Sequence, residues 1–371
     1  MMSETNPPER QDPPVVTVDA RKWLLAPTRK LAGLPIFLRT LLTLERAGAG
    51  RLQVLCGPAG DGKRRSGLEA ILKRRCPRIP VAFDDGDPSA DGEPSGDRKI
   101  VVEACALYEP AKLKDALAGR CTVAEARWSA LSSPAEFAHA SSLLWRSLRK
   151  PIENDGVVAY FLGRPVSRLI SRLIIGTAIT PNQVTIASGI SALVGAFLLT
   201  HSLILGAALY WFSFVLDCVD GELARLRFQG SRTGQWLDTI ADDTATVAFS
   251  AGLGMVMLPV NSALAIVGFA AAGAYALSCI PVYRALRHLP TIDTAQYPYF
   301  FMGEKGAAAT EKNLWTWLAY GFRRDVILFL HLVFAFFSCL WCMFLLQLVI
   351  NAGMAFITWL DVTVKALRKS K

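Results

Sequence analysis

Asp217, Asp220, Asp238 and Asp242 stand in an otherwise apolar stretch, in the spacing D-x2-D-G-x2-A-R-x8-G-x3-D-x3-D. Gly221, Ala224, Arg225 and Gly234 fill the remaining fixed positions. Leu209–Leu216 precede the motif and Val247–Leu253 follow it, all but the two serines apolar. Carboxylates inside such a stretch are costly without a partner. Asp217 and Asp220 are i, i+3 on a helix and share a face, as do Asp238 and Asp242 at i, i+4. Gln229-Gly230-Ser231 reads as a turn between them. The spacing therefore predicts a helical hairpin with opposed carboxylate faces. Acids at that range need counter-charge, and hard divalent cations with oxygen ligands, Mg²⁺ or Mn²⁺, supply it. Two such ions suit a phosphate held between an attacking and a leaving oxygen. Gly221 and Ala224 have no bulk, so a flat ligand fits against the helix. Asp243 points about 100° away from Asp242 and reads as outside the ligand set. The plain alternatives are a buried ion-pair cluster or the cation path of a transporter.

The motif resembles the signature of the CDP-alcohol phosphotransferase family at all eight positions. That resemblance implies an integral membrane enzyme of six spans and a homodimer. It implies transfer of a phospho-alcohol from a CDP-alcohol donor to an alcohol acceptor, with release of CMP. It assigns metal binding to Asp217, Asp220, Asp238 and Asp242, with Asp242 as the base for the acceptor hydroxyl. Gly221, Ala224, Arg225 and Gly234 fall to the nucleotide, Arg225 being structural or phosphate-facing. Thr180-Pro181-Asn182-Gln183-Val184-Thr185 is similar to the family's first-span entrance, which places Asn182 and Thr185 near the nucleotide phosphates.

The elements that must position these groups follow from hydropathy. The chain has 371 residues, 52% hydrophobic, but residues 1–150 are mixed and charged whereas long apolar runs dominate from about residue 178. The runs cover roughly 181–200, 203–224, 236–258, 262–282, 325–343 and 344–363. The last two are fused, with a turn expected at Ser338-Cys339. The expected fold is a polytopic α-helical membrane protein of six transmembrane helices with an N-terminal α/β, Rossmann-like cytoplasmic domain. Its expected parts are a disordered tail (1–15), a nucleotidyltransferase-like domain (16–150), an interfacial helix (151–180) and the six-span domain (181–371).

The connections at His201-Ser202 and Pro259–Ser262 carry no Lys or Arg. The opposite side carries Arg146, Arg149, Lys150, Arg164, Arg168, Arg172, Arg225, Arg227, Arg232, Arg284, Arg287, Lys305, Lys312, Arg323 and Arg324, with Lys365, Arg368, Lys369 and Lys371 in the tail. This is the positive-inside pattern, with both termini and the active site cytoplasmic in a multi-pass cell membrane protein. The net charge of +9 then serves topology and anionic headgroups, and it argues against nucleic acid because the cations flank apolar runs. Arg164, Arg168 and Arg172 form a basic stripe on an otherwise Leu/Ile-bearing helix. Taken singly, each reads more simply as a lipid anchor than as a clamp on a phosphorylated substrate. Arg232, in the hairpin loop, and Arg284, with Arg287 at the end of the fourth span, are candidates for an acceptor phosphate; anchoring is their plain reading. The eight cysteines, Cys339-x2-Cys342 included, read as ordinary buried thiols.

In the N-terminal part, residues 51–56, 80–83 and 99–103 read as strands, and 35–47, 64–75, 110–119 and 133–149 as helices, which gives a parallel sheet. Gly57–Lys63 matches G-x4-G-K, but Arg64 stands where a P-loop needs Ser or Thr, so it reads as a plain strand-to-helix loop. Asp84–Asp97 reads as a mobile loop. Lys30–Ile36, with the helix ending in Ala47–Gly50, weakly resembles the cytidylyltransferase domain of the bifunctional inositol-phosphate cytidylyltransferase/di-inositol-phosphate phosphate synthase type. The Gly-rich nucleotide loop of that group is missing, since Trp23–Thr28 stand there. The expectation is a degenerate domain kept for docking or regulation. The rival is a bifunctional enzyme that makes its own CDP-alcohol.

Overall fold

The computed structural model describes residues 13–21, 29–56, 62–84, 100–131, 133–292, 294, 297–299 and 323–369. The chain divides into two compact units, Met1–Arg149 and Lys150–Lys371.

The first unit opens with β1 (Val15–Asp19), the short pair β2 (Lys30–Leu31) and β3 (Leu34–Pro35), and α1 (Ile36–Ala47). It continues through β4 (Arg51–Leu55), α2 (Gly62–Arg74), β5 (Val81–Asp84), β6 (Ile100–Glu103) and β7 (Ala106–Tyr108). It closes with α3 (Pro110–Leu117), α4 (Val123–Ala126), β8 (Arg127–Ala130) and α5 (Pro134–Ser147). Four strands form one sheet in the order β5-β4-β1-β6, every pair parallel. Strands are added on one side of β1 and then on the other, so the order switches between β1 and β6, as in doubly wound folds. Val16, Val18, Leu52, Val54 and Val102 are fully buried in this sheet. α1 buries Phe37, Leu41 and Leu44 and ends at Gly48, whose φ of 100° is the left-handed cap that glycine adopts freely. β4, β5, β6 and the four longer helices lie where the sequence placed them. β1 was not anticipated, and its first residue belongs to the stretch expected as tail. The rest of that tail lies mostly outside the described residues, as do Trp23–Thr28, Gly57–Asp61 and residues 85–97. Gly62 opens α2, so Lys63 is helical.

The second unit begins with α6 (Ile152–Asp155), a π-helical turn at Ala159–Gly163 and α7 (Arg164–Ile174). Among the described residues six helices follow: α8 (Pro181–Leu198), α9 (Leu203–Leu226), α10 (Arg232–Met257), α11 (Ser262–Leu286), α12 (Arg324–Phe336) and α13 (Leu340–Lys369). The first four apolar stretches read from the sequence each correspond to a helix, and the fused last run divides into α12 and α13 at a turn inside the expected 325–343 stretch. Three of them, Leu203–Leu226, Ser262–Leu286 and Leu340–Arg368, are long and apolar enough to cross a membrane. α12 has 13 residues, and at 1.5 Å per residue it falls short of a ~30 Å hydrocarbon core. The turn before α13 falls at Phe337–Cys339, where Ser338 takes a φ of 52°.

α8 is the organiser of this unit. Thr180 caps it with a full capping box to Gln183, and Pro181 stands in its first turn. It packs on both α9 and α10, whereas α9 and α10 touch each other little. The expected two-helix hairpin is therefore a three-helix arrangement. Close approach needs small residues. A Cβ on Gly206 would stand 2.8 Å from the Gly195 carbonyl oxygen, and one on Gly252 would stand 2.4 Å from that of Ala196. Around this contact Tyr210 stacks on Phe249 with ring centroids 4.0 Å apart. A buried polar cluster ties α10, α12 and α13 together: Gln347 and Asn351 donate to Ser250 Oγ, and His331 Nε2 meets Gln347 Oε1 at 2.9 Å.

Two sequence expectations fail here. Arg164 is no lipid anchor. It is buried, with a bidentate pair to Asp155 (2.6 and 2.7 Å) and a bond to Glu222 (3.2 Å). Cys339 and Cys342 are not free thiols: the turn brings their Cα atoms to 5.4 Å and they form a disulfide. Cys76, Cys121, Cys218 and Cys279 carry free thiols.

Candidate functional site

The site is built from the last turns of α9, the first turns of α10 and the start of α8. Ser231 caps α10 by accepting from the Gly234 amide at 3.0 Å. Phe228, with a φ of 55°, lets the chain reverse between α9 and α10. One carboxylate oxygen each of Asp217, Asp220 and Asp238 lies within 4.8 Å of the others. Asp220 is buried and accepts from the Thr185 hydroxyl of α8. Asp238 Oδ1 is buried and has no hydrogen-bond partner among the described residues. Three carboxylates facing each other, one of them carrying an orphaned oxygen, fit a hard divalent cation. The fourth motif aspartate, Asp242, is turned to an ion pair with Arg324 at the start of α12.

The other predicted residues sort by helix face. Gly221 is spanned by the Arg225 side chain, whose Nη1 would stand 3.8 Å from a Cβ placed there. Ala224 lies one turn past Asp220 on the same helix. A Cβ on Gly234 would stand 3.0 Å from Asn182 Oδ1, so the missing side chain lets the entrance of α8 approach α10. Arg232 donates from Nη2 to the Arg287 carbonyl at 2.6 Å, which ties the start of α10 to the end of α11. Arg284 is exposed in the last turn of α11.

Beside Asp242 lies a cavity of about 320 Å³, lined by Gln235, Asp238, Thr239 and Asp243 of α10 and by Thr291, Ile292 and Thr294. Asp243 accepts from the hydroxyls of Tyr275 and Tyr283, both at 2.6 Å. It is thus held by α11.

Several contributors were not read from the sequence. Glu222 is fully buried and accepts from Arg164, from Ser167 (2.9 Å) and from Ser171 (2.7 Å), all of α7. Arg227 is buried and donates to the carbonyls of Ile174, Ile175, Thr177 and Ile179. Asp325 is buried and accepts from the Ala159 amide at 3.0 Å. For Glu222 the signal was available, since a carboxylate two residues after Asp220 in an apolar run needs a partner.

The CDP-alcohol phosphatidyltransferase family model matches residues 178–304, from the entrance of α8 past the cavity-lining threonines. The chain carries a CDP-alcohol phosphatidyltransferase domain. This domain contains all of the motif aspartates, while Arg324 lies beyond the matched residues. Among curated relatives, the bifunctional IPC transferase and DIPP synthase of Thermococcus kodakarensis is 35% identical over 115 residues, 31% of this chain and 26% of that protein. The Aquifex aeolicus protein of the same name is 30% identical over 132 residues, 36% of this chain and 30% of that one. The phosphatidylinositol phosphate synthase of Mycobacterium tuberculosis is 35% identical over 86 residues, 23% of this chain and 40% of that one. The chain therefore matches less than half the length of each of these relatives. The crystal structure of the M. tuberculosis phosphatidylinositol phosphate synthase with CDP-DAG bound aligns at a TM-score of 0.38 and 22% identity, over 54% of this chain and 93% of that one.

Proposed function

We propose that the protein transfers a substituted phosphate from a CDP-alcohol to an alcohol and releases CMP. The observation that carries this reading is the convergence of Asp217, Asp220 and Asp238 with an orphaned Asp238 oxygen, inside a matched phosphatidyltransferase domain. Those three residues, with Asp242, would hold Mg²⁺ or Mn²⁺, two ions in all. When bound, the metal offsets the charge of the donor diphosphate and of the departing CMP.

The chain's own groups do the rest. Gly221 and Ala224 leave room for the cytidine against α9, with Arg225 beside it. Asn182 and Thr185 face the phosphates from α8. The acceptor occupies the polar cavity beside α10, with Arg232 and Arg284 toward any phosphate it carries. Asp242 takes the proton of the acceptor hydroxyl. That oxygen attacks the β-phosphorus; the new P–O bond forms as the bond to CMP breaks, and CMP leaves with the electron pair. A polyol phosphate acceptor fits this cavity, and the product is a phospholipid or a polyol phosphodiester. The reading includes six membrane crossings, with the short α12 crossing where the bilayer thins, the site and both termini at the cytoplasmic face, and a homodimer.

CMP release by the purified chain tests it, with Mn²⁺ or Mg²⁺, CDP-diacylglycerol or CDP-inositol as donor and a panel of polyol phosphates. Metal-dependent release that Asp242→Asn abolishes supports the reading. Vesicle uptake of a cation without CMP release would replace it by the transporter. The rival for the first unit, against its expected degeneracy, is a second activity, formation of the CDP-alcohol from CTP. Pyrophosphate release from CTP and a polyol phosphate tests that. No release leaves the first unit as the degenerate docking or regulatory domain expected.

A further inference from the structure

The donor side of the site depends on where α8 begins. Asn182 reaches Gly234 and Thr185 donates to Asp220, so both report the seating of the first α8 turn. The chain enters that turn through the connection 175–180, which has no regular secondary structure. At the end of α7 the last carbonyls lack helical partners and need donors.

Thr177 serves Ile174 O through its amide (3.0 Å) and its hydroxyl (2.8 Å); Arg227 shares that oxygen and supplies the carbonyls beyond it. It follows α9 directly, two residues after the motif arginine Arg225. Its Nη2 donates to Ile174 O and Ile175 O, both at 2.8 Å, and to Thr177 O at 3.0 Å. Its Nη1 donates to Ile179 O, immediately before the α8 cap Thr180. A cation at a helix C-terminus also meets the helix dipole favourably. One planar guanidinium with several fixed donors can serve carbonyls on both sides of a bend; a lysine ammonium cannot match that geometry. Glu222 provides the second anchor, gripping the middle of α7 through Arg164, Ser167 and Ser171.

We infer that Arg227 and Glu222 are positioning residues for the donor end of the site: they clamp α7 and the α7–α8 connection to the motif helix and so set where Asn182 and Thr185 stand. This rests on the transferase reading above. Neither side chain is one of the three converging acids, so each acts through α8.

The test uses the full chain in detergent, with Arg227→Lys, Arg227→Met, Glu222→Gln, Thr185→Val and the double variant Arg227→Met/Thr185→Val. Steady-state CMP release should show a donor KM raised about tenfold for Arg227→Met, the size of one lost net hydrogen bond. The acceptor KM should stay within about twofold. Arg227→Lys should recover only part of the loss. The double variant should be no worse than Arg227→Met alone, because both act through one contact. Unchanged donor KM, equal changes in both KM values, or full additivity with Thr185→Val would overturn the inference. Calorimetric CMP binding with Mn²⁺ reads the same geometry without turnover. If the wild type binds CMP but never releases it from a donor, the transferase reading fails and the positioning role is judged on CMP affinity alone. A CMP affinity unchanged in Arg227→Lys then overturns it.

Discussion

Asp242 is paired with Arg324, while Asp217, Asp220 and Asp238 face one another. The four motif acids thus carry two kinds of charge compensation, a cation of the chain for one and a space for an added cation for the other three. Arg324 sits at the start of α12, outside the matched family segment.

Removing that cation makes the site more negative. Arg324→Gln is expected to tighten Mn²⁺ binding, since two charges about 4 Å apart interact by roughly 4 kcal/mol at an effective dielectric of 20 and part of that repulsion toward the ion disappears. Calorimetric titration with Mn²⁺ checks this. Weaker binding would show that Arg324 orders Asp242 for the metal rather than competing with it.

Asp238→Asn keeps the size of the side chain but removes one of three converging charges. Melting without metal should stay level or rise, because like charges at that range repel. The rise in Tm on adding Mn²⁺ should vanish, and CMP release with it. Thermal scans with and without Mn²⁺ decide it, and a persistent metal-induced shift would remove Asp238 from the ligand set.

The triad of Asp155, Arg164 and Glu222 is buried, so breaking it by one member leaves a charge without a partner. Arg164→Met is expected to destabilise by about 3–5 kcal/mol. Arg164→Met/Glu222→Gln should cost less than the sum of its parts, as the two residues share one contact. Unfolding in detergent, followed by helical circular dichroism, measures both.

The disulfide gives a handle on orientation. Cys339 and Cys342 follow the end of α12 away from Arg324 and its partner Asp242, where Phe336 and Phe337 share a cleft with Ile204, just after the uncharged connection at His201. In intact cells, a membrane-impermeant phosphine followed by an impermeant maleimide should label this pair, and maleimide alone should not. Labelling only after the membrane is permeabilised would reverse the proposed topology.

What the sequence shows of this molecule depends on how local the signal is. Asp217 and Asp220 reveal their shared face because helical geometry acts within one turn, and the six apolar stretches reveal helices by length alone. The α12–α13 turn was legible to within a residue, but the shortness of α12 was not, because one continuous apolar run conceals its own division. The partner of Glu222 was opaque for a different reason. Arg164 looks like a helix-surface charge until the helices are packed, and the pairing spans 58 positions. Arg227 was counted among the cytoplasmic anchors because nothing in a linear chain shows four carbonyls gathered at one point. β1 was lost beside a proline-rich segment, since Val15–Asp19 is too short to announce a strand without β4 and β6 on either side. Cys339-x2-Cys342 fits a disulfide or two thiols equally well until the backbone between them is known.

α8 lies against both helices that carry the acids, and those helices scarcely meet. The aperture between Asp220 and Asp238 is therefore held by a spacer, with Thr185 at one end of the spacer and the glycine contacts of Gly195, Gly206 and Gly252 toward the other. A spacer pinned at both ends works as a lever. Bulk added at the glycine end tilts α8 and changes the gap between carboxylates several turns away, without touching either of them. Fine adjustment of the site is thus available to residues that have no chemistry of their own.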